Sequence, residues 1–123
     1  LSYLIKAAKE RRKYYIFGYK GKQVRDNIHS EDVVQACWEF YKTKNNSGAY
    51  NIGGGRSNSC SILEAIDILK KKHDIEQKYQ ILKKNRSGDH IWYISDNSKF
   101  QDKHKNWTIK RNLNSIISEI VAN

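Results

Sequence analysis

Apolar residues recur along this chain at two different periods, and the switches between them lay out its elements. Leu4, Ile5 and Ala8 fall at helical spacing with basic residues between and after them, so residues 1–13 read as an amphipathic helix. Tyr14-Tyr15-Ile16-Phe17 is aromatic and β-branched, stops at Gly18, and reads as a strand. The turn signal Gly18-Tyr19-Lys20-Gly21 leads to a second extended piece, residues 23–28, in which Val24 and Ile28 face a core. Joined through that turn, the two pieces are expected to pair as a hairpin. Ser30 is placed to cap a helix running to about Lys44, with Glu31 and Asp32 in its first turn, where the helix dipole favours negative charge. Its broad apolar face comprises Val33, Val34, Cys37, Trp38, Phe40 and Tyr41, and Asn45-Asn46-Ser47-Gly48 ends it.

The second half continues the alternation. Ala49-Tyr50-Asn51-Ile52 reads as a short strand entering Gly53-Gly54-Gly55. Ser59 or Ser61 caps a helix with Ile62, Leu63, Ile66 and Leu69 on one face, reaching about His73. Residues 77–82 read as a strand. The polar loop Asn85-Arg86-Ser87-Gly88-Asp89-His90 becomes an aromatic strand at Ile91-Trp92-Tyr93-Ile94, and Ser95 or Asp96 caps a short helix through Phe100. A last helix starts near Asn112 and carries Leu113, Ile116, Ile117 and Ile120 to Val121. The class is α/β, mixed α+β over this length, with strands too few and scattered for a complete doubly wound sheet.

Composition narrows the function classes. The 123 residues allow one domain with a modest core. No apolar run approaches the ~20 residues of a membrane span, and the basic first segment lacks the apolar stretch of a signal peptide, so a cytoplasmic protein without membrane contact is expected. The chain begins at Leu1 inside a helical pattern, which points to a fragment or a processed product. A net charge of +10 favours an anionic partner, but the basic residues are spread over most segments, whereas a nucleic-acid module gathers them on one face. Cys37 and Cys60 build no disulfide framework, with Cys37 expected in the core, and four dispersed histidines offer no metal site.

Few residues present a case for chemistry. Gly53-Gly54-Gly55 does not match a dinucleotide or Walker loop. Tyr79 and Lys83 have Tyr-x-x-x-Lys spacing but fall on a strand, where residues four apart are separated by roughly 13 Å. No catalytic centre is assigned. Two arginine loops are stronger: Arg25 follows the glycine turn and Arg86 opens Arg-Ser-Gly-Asp. A guanidinium fork matches phosphate oxygens, so two of them converging clamp a diphosphate, and Asp89 accepts hydrogen bonds from ribose hydroxyls.

Four stretches in order resemble a known family. Tyr15-Ile16-Phe17-Gly18, then Val24-Arg25-Asp26-Asn27-Ile28-His29 with Asp32, then Tyr50-Asn51-Ile52-Gly53, then Arg86-Ser87-Gly88-Asp89 resemble the C-terminal part of extended short-chain dehydrogenase/reductases, the NAD-dependent epimerase/dehydratase family. Asn27 and His90, where UDP-hexose 4-epimerases usually carry Tyr or Phe and Pro or Leu, and Gly53-Gly54-Gly55-Arg56 resemble the CDP-tyvelose (CDP-paratose) 2-epimerase branch. The resemblance implies that residues 1–123 are the substrate-binding portion beside an incomplete Rossmann sheet. It implies a nucleotide-diphosphate sugar, a CDP-sugar, as ligand, and NAD bound mainly by an N-terminal part that this sequence lacks. It implies that Arg25 and Arg86 bind the diphosphate, Asp89 the ribose, and backbone around Tyr15 and Phe17 the base. The parent would be an isomerase of carbohydrate biosynthesis, such as that of lipopolysaccharide O-antigen, with homo-oligomer formation left open. The chain alone is expected to be inactive and of marginal stability, since the helix from Ser30 should pack on a sheet that is absent. A basic nucleic-acid-binding module, or another nucleotide-sugar 4-epimerase or dehydratase of the same family, are the alternatives.

Overall fold

The computed structural model describes residues 1–44 and 47–123, so half of the expected Asn45-Asn46-Ser47-Gly48 helix stop lies outside the described residues. The chain runs α1 (Ser2–Lys9), β1 (Tyr14–Phe17), β2 (Val24–Asp26), α2 (Ser30–Lys42), β3 (Ser59–Ser61), α3 (Ile62–His73), β4 (Tyr79–Leu82), β5 (Trp92–Tyr93), α4 (Ser98–Lys103) and α5 (Leu113–Ala122). Helix α1 stops four residues before the periodicity does. Arg11 takes a left-handed conformation (φ 54°), and the amides of Arg11 and Arg12 bond back to the carbonyls of Ala8 and Ala7 at 3.0 and 2.8 Å. That is a Schellman ending with arginine in the place usually held by glycine.

The expected β1–β2 hairpin does not form. β1 pairs in parallel with β4, Tyr14 opposite Tyr79 through Phe17 opposite Leu82, while β2 lies between β3 (antiparallel) and β5 (parallel) in a separate three-stranded sheet. The physical reason lies in the turn. Gly18, Tyr19, Lys20 and Gly21 all have positive φ, from 47° to 76°, so the chain makes a compact left-handed loop in place of a two-residue reversal. Gly18 is also required by contact, because a Cβ there would fall 1.6 Å from the Asn85 side-chain oxygen. Residues 49–52 form no strand; Tyr50 and Ile52 instead pack beside the second core described below.

Two cores result. The larger joins Leu4, Ile5 and Ala8 of α1, Ile16 of β1, Cys60 of β3, Ala65, Ile66 and Leu69 of α3, and Leu113 and Ile117 of α5. The helices that build it are capped as the sequence requires. Ser61 and Glu64 form a reciprocal capping box on α3, and the Asn112 side chain accepts from the Ser115 amide on α5 at 2.9 Å. The smaller core gathers Ala36, Phe100 and Trp107 with Phe40, Tyr50, Ile52 and Ile109.

Helix α2 departs from expectation at its start and on its face. His29 is its cap in place of Ser30, with Nδ1 accepting from the Glu31 amide at 3.1 Å. Nε2 therefore carries the ring proton and donates to the Glu119 carboxylate at 3.1 Å, tying α2 to α5. Ala36 and Phe40 turn inward, but Val34, Trp38 and Tyr41 are 63, 52 and 78% exposed, and Cys37 is exposed as well. The buried cysteine is Cys60, not Cys37. An apolar stripe of helical period needs a surface to cover it, and the described residues do not supply one for this half of the α2 face. At α4, Asp96 accepts from the Ser98 amide at 2.9 Å and the helix continues past Phe100 to Lys103.

Candidate functional site

Strand β2 places alternate side chains on opposite sides, and both sides matter. Asp26 turns away from Arg25 and braces two segments: its Oδ2 accepts from the amides of Gly55 and Ser95, each at 3.0 Å. The glycines beside it are there to let backbone approach. A Cβ on Gly54 would sit 2.0 Å from the Asn27 carbonyl oxygen, and one on Gly53 would sit 2.1 Å from Ser95 Oγ. Asn97 pairs both its amide groups with the backbone of Gly53, at 3.0 and 2.8 Å. The triple glycine thus serves close packing against β2 and the segment after β5.

On the other side of β2, a cavity of about 180 Å³ opens between β1, β2, the N-terminus of α3 and the loop after β4. Tyr15, Phe17, Arg25, Arg86 and Asp89 all border it. Strands β1 and β2 and a loop some sixty residues later therefore bring the five residues singled out above to one place. The strand edge that faces it has a definite chemistry. In the parallel ladder Tyr14 and Gly18 donate to the carbonyls of Lys78 and Leu82, so even-numbered residues of β1 spend their hydrogen bonds on β4. The N–H and C=O groups of Tyr15 and Phe17 point to the opposite edge, toward the cavity. One of these, the Phe17 carbonyl, accepts from Gln23 Nε2 at 3.3 Å.

The two arginines are held differently. Arg86 lies with its guanidinium 4.5 Å from the centre of the Phe17 ring and makes no hydrogen bond among the described residues. Stacking on an aromatic face fixes the planar group while leaving its N–H donors open. Arg25 is engaged. Its Nη1 donates to the Val24 carbonyl at 2.7 Å, and Nη2 donates both to Asp89 Oδ1 at 2.5 Å and to the His90 carbonyl. Tyr19, in its left-handed conformation, donates its hydroxyl to the Asp89 carbonyl at 3.1 Å and tethers the same loop.

Several residues here were given no site role from sequence. Gln23 lines the cavity, with its Oε1 buried and without a hydrogen-bond partner among the described residues. Asn27 donates to the carbonyls of Arg25 and Asn58, and contacts Cys60 Sγ at 3.8 Å. Burial pushes the Cys60 thiol above its ordinary pKa, and burial likewise raises the Tyr14 phenol against the opposing charge of Arg86. Asp32, read from sequence as first-turn charge and as a member of the shared motif but given no role, is 1% exposed and accepts from the amides of Lys110 and Arg111, each at 3.1 Å. The signal for Asp32 and Asp26 was their place in the shared motif. Gln23 was read only as the start of the extended piece that carries Arg25, and Tyr19 only as part of the glycine turn. Among the described residues no three His, Cys, Asp or Glu side chains are grouped to hold a metal ion, and no helix is long and apolar enough to cross a membrane.

Comparison with known proteins gives this geometry a context. Residues 1–53 match the family model for the NAD dependent epimerase/dehydratase family. A CDP-paratose 2-epimerase of Salmonella typhi is 32% identical over 78 residues, 62% of this chain and 23% of that protein. Among solved structures, the UDP-glucuronic acid 4-epimerase of Bacillus cereus in complex with UDP-glucuronic acid and NAD superposes on 97% of this chain and 37% of its own, with a TM-score of 0.84 and 26% identity. The UDP-glucose 4-epimerase of Thermotoga maritima, with UDP-glucose, covers 98% of this chain and 37% of its own, with a TM-score of 0.78 and 27% identity. This chain spans about a quarter of the curated relative's length and well under half of the solved structures'. Over the part it spans, the chain carries the fold of these epimerases, and its residues 1–53 are similar to the NAD dependent epimerase/dehydratase family.

Proposed function

We propose that residues 1–123 are the nucleotide-sugar-binding portion of an NAD-dependent nucleotide-sugar epimerase of the CDP-tyvelose 2-epimerase type. The observation that carries this reading is the convergence of Arg25, Arg86 and Asp89 with the open edge of β1 on one cavity. Arg86, stacked and free to donate, and Arg25 take the diphosphate; Asp89 takes the ribose hydroxyls; the backbone of Tyr15 and Phe17 meets the edge of the base. At about 180 Å³ the cavity is smaller than the ~300–1,000 Å³ of a whole ligand site, which fits a chain that holds one end of a larger ligand. Asn27 supports the branch assignment. Its side-chain amide donates to two backbone carbonyls close to its own main chain, where Phe has no donor and the Tyr hydroxyl sits at the far end of a ring.

NAD does not fit the residues present. The glycines that resemble a phosphate loop are packed against Asn27 and Ser95, with no room for a pyrophosphate between them. In our reading NAD is held by an N-terminal Rossmann part of the parent, which takes a hydride from a sugar carbon and returns it to the other face of the ketone. The role of this chain is to bind and orient. The exposed Val34, Trp38 and Tyr41 on α2 are the surface that the remainder of the parent covers. The isolated chain is therefore inactive toward CDP-sugars.

Calorimetric titration of the chain with CDP-glucose and UDP-glucose tests the site. Arg25→Ala and Arg86→Ala should each weaken binding by about 1.5–3 kcal/mol, the value of a hydrogen bond to a charged group. Unchanged affinity in both variants removes the phosphate clamp.

A further inference from the structure

The shortest charged contact in the candidate site joins two groups that the reading above assigns to different parts of the ligand. Arg25 Nη2 lies 2.5 Å from Asp89 Oδ1, a charge-assisted bond, and both side chains are partly shielded, at 37 and 21% exposure. Among the described residues no carboxylate pairs with Arg86, whose guanidinium lies over the Phe17 ring. One arginine of the pair is thus open to an anion and the other is already neutralised.

This difference has a consequence for what binds. A phosphate group approaching Arg25 finds the Nη2 donors spent on Asp89 and His90, so it either displaces the Asp89 carboxylate or binds beside it, and in both cases the carboxylate remains next to the incoming anion. A bare pyrophosphate offers it nothing in return, so the Coulomb repulsion stands uncompensated. A nucleoside diphosphate brings two ribose hydroxyls, each a donor, and a released carboxylate accepts from them. The exchange is confined to side chains. The loop stays anchored through its backbone, because Tyr19 donates to the Asp89 carbonyl, Arg25 donates to the His90 carbonyl, and Arg86 stacks on Phe17.

We infer that Asp89 is a specificity-determining residue, whose pairing with Arg25 selects nucleoside diphosphates against phosphate compounds that carry no ribose. The inference rests on the assignment of Arg25 to phosphate. It adds to that assignment a penalty against the wrong ligand, which is how selectivity is commonly sharpened.

The test is a pair of titrations of the 123-residue chain, with inorganic pyrophosphate and with cytidine 5′-diphosphate, in the unaltered protein and in Asp89→Asn. Removing the carboxylate should tighten pyrophosphate binding by about two- to fivefold, the range of a partly exposed ion pair. The preference for cytidine diphosphate over pyrophosphate should narrow by about fivefold, since a neutral amide oxygen is the weaker ribose acceptor. Asp89→Ala should tighten pyrophosphate similarly and narrow the preference further. Thermal midpoints of both variants should fall by no more than about a few degrees, the value of one partly exposed ion pair, because the loop is also held through backbone acceptors. Pyrophosphate affinity unchanged or weakened in both variants, while Arg25→Ala still lowers it, overturns the inference and leaves the site reading intact. Pyrophosphate affinity indifferent to Arg25→Ala, or no binding of either ligand, overturns both.

Discussion

Two aspartates of the shared motif make the sharpest test of how this fold is held, because their carboxylates are used differently. Asp32 spends both oxygens, Oδ1 on the Lys110 amide and Oδ2 on the Arg111 amide, and is 1% exposed. Asp26 receives both of its backbone donors, Gly55 and Ser95, on the single oxygen Oδ2. Asparagine has one oxygen. At position 26 it can place that oxygen where Oδ2 lies and keep both bonds, weakened by loss of charge, at a cost of about 1 kcal/mol. At position 32 it must turn its NH₂ toward one amide, leaving a donor facing a donor in a buried place. An unsatisfied buried donor costs about 1–3 kcal/mol, and the weakened remaining bond brings Asp32→Asn to about 2–4 kcal/mol. Urea unfolding followed by circular dichroism measures both. With a slope of about 1–3 kcal/mol per molar, Asp32→Asn should lower the midpoint by roughly 1–2 M or leave the chain unfolded in buffer, with Asp26→Asn well behind. Equal midpoints for the two variants would refute the oxygen-by-oxygen account.

Further outcomes follow from single contacts. Gly54→Ala puts a methyl group 2.0 Å from the Asn27 carbonyl oxygen, so it should cost about 1–3 kcal/mol or more in urea unfolding and, by displacing the segment that carries Arg25, weaken nucleotide binding; an alanine variant of parental stability would contradict the packing. Cys37 is exposed and Cys60 is buried with its thiol pKa raised by burial, so at neutral pH a maleimide or disulfide reagent should consume one thiol quickly and the second only with unfolding. Two equally fast thiols would show that Cys60 is open. The Glu64 carboxyl is held below its ordinary pKa, first by the Ser61 backbone amide and then by its side chain. A carboxylate lowered in the folded state stabilises above its unfolded value near 4.3, and that contribution is lost as pH falls through the folded value. Amide exchange at the start of α3 should therefore quicken on acidification from about pH 5 to pH 3, and Glu64→Gln, which removes the titrating carboxyl, should abolish the dependence. Glu31, lowered by its hydrogen bond to Arg111, acts with the same sign.

Local patterning determined the helices and most strands of this chain, because their information is local. The spacing of Ile62, Leu63, Ile66 and Leu69, the Ser61–Glu64 capping pair and the Asn112 cap are each contained within a few residues. The same holds for the four family stretches, which carried the site residues Arg25, Arg86 and Asp89 as short strings. Pairing was decided elsewhere. Whether β1 joins β2 or β4 depends on a loop whose left-handed Tyr19 and Lys20 no propensity marks, and on a strand some sixty residues away. The apolar face of α2 was legible as a stripe, yet periodicity says only that a stripe needs covering, not what covers it. Tertiary structure alone showed that Val34, Trp38 and Tyr41 stand open while Ala36 and Phe40 are packed. It also decided the electrostatic state of the site. Sequence places Arg25 and Asp89 sixty-four residues apart, and only the fold brings them within 2.5 Å, where each is the other's first partner and any phosphate must compete with a carboxylate.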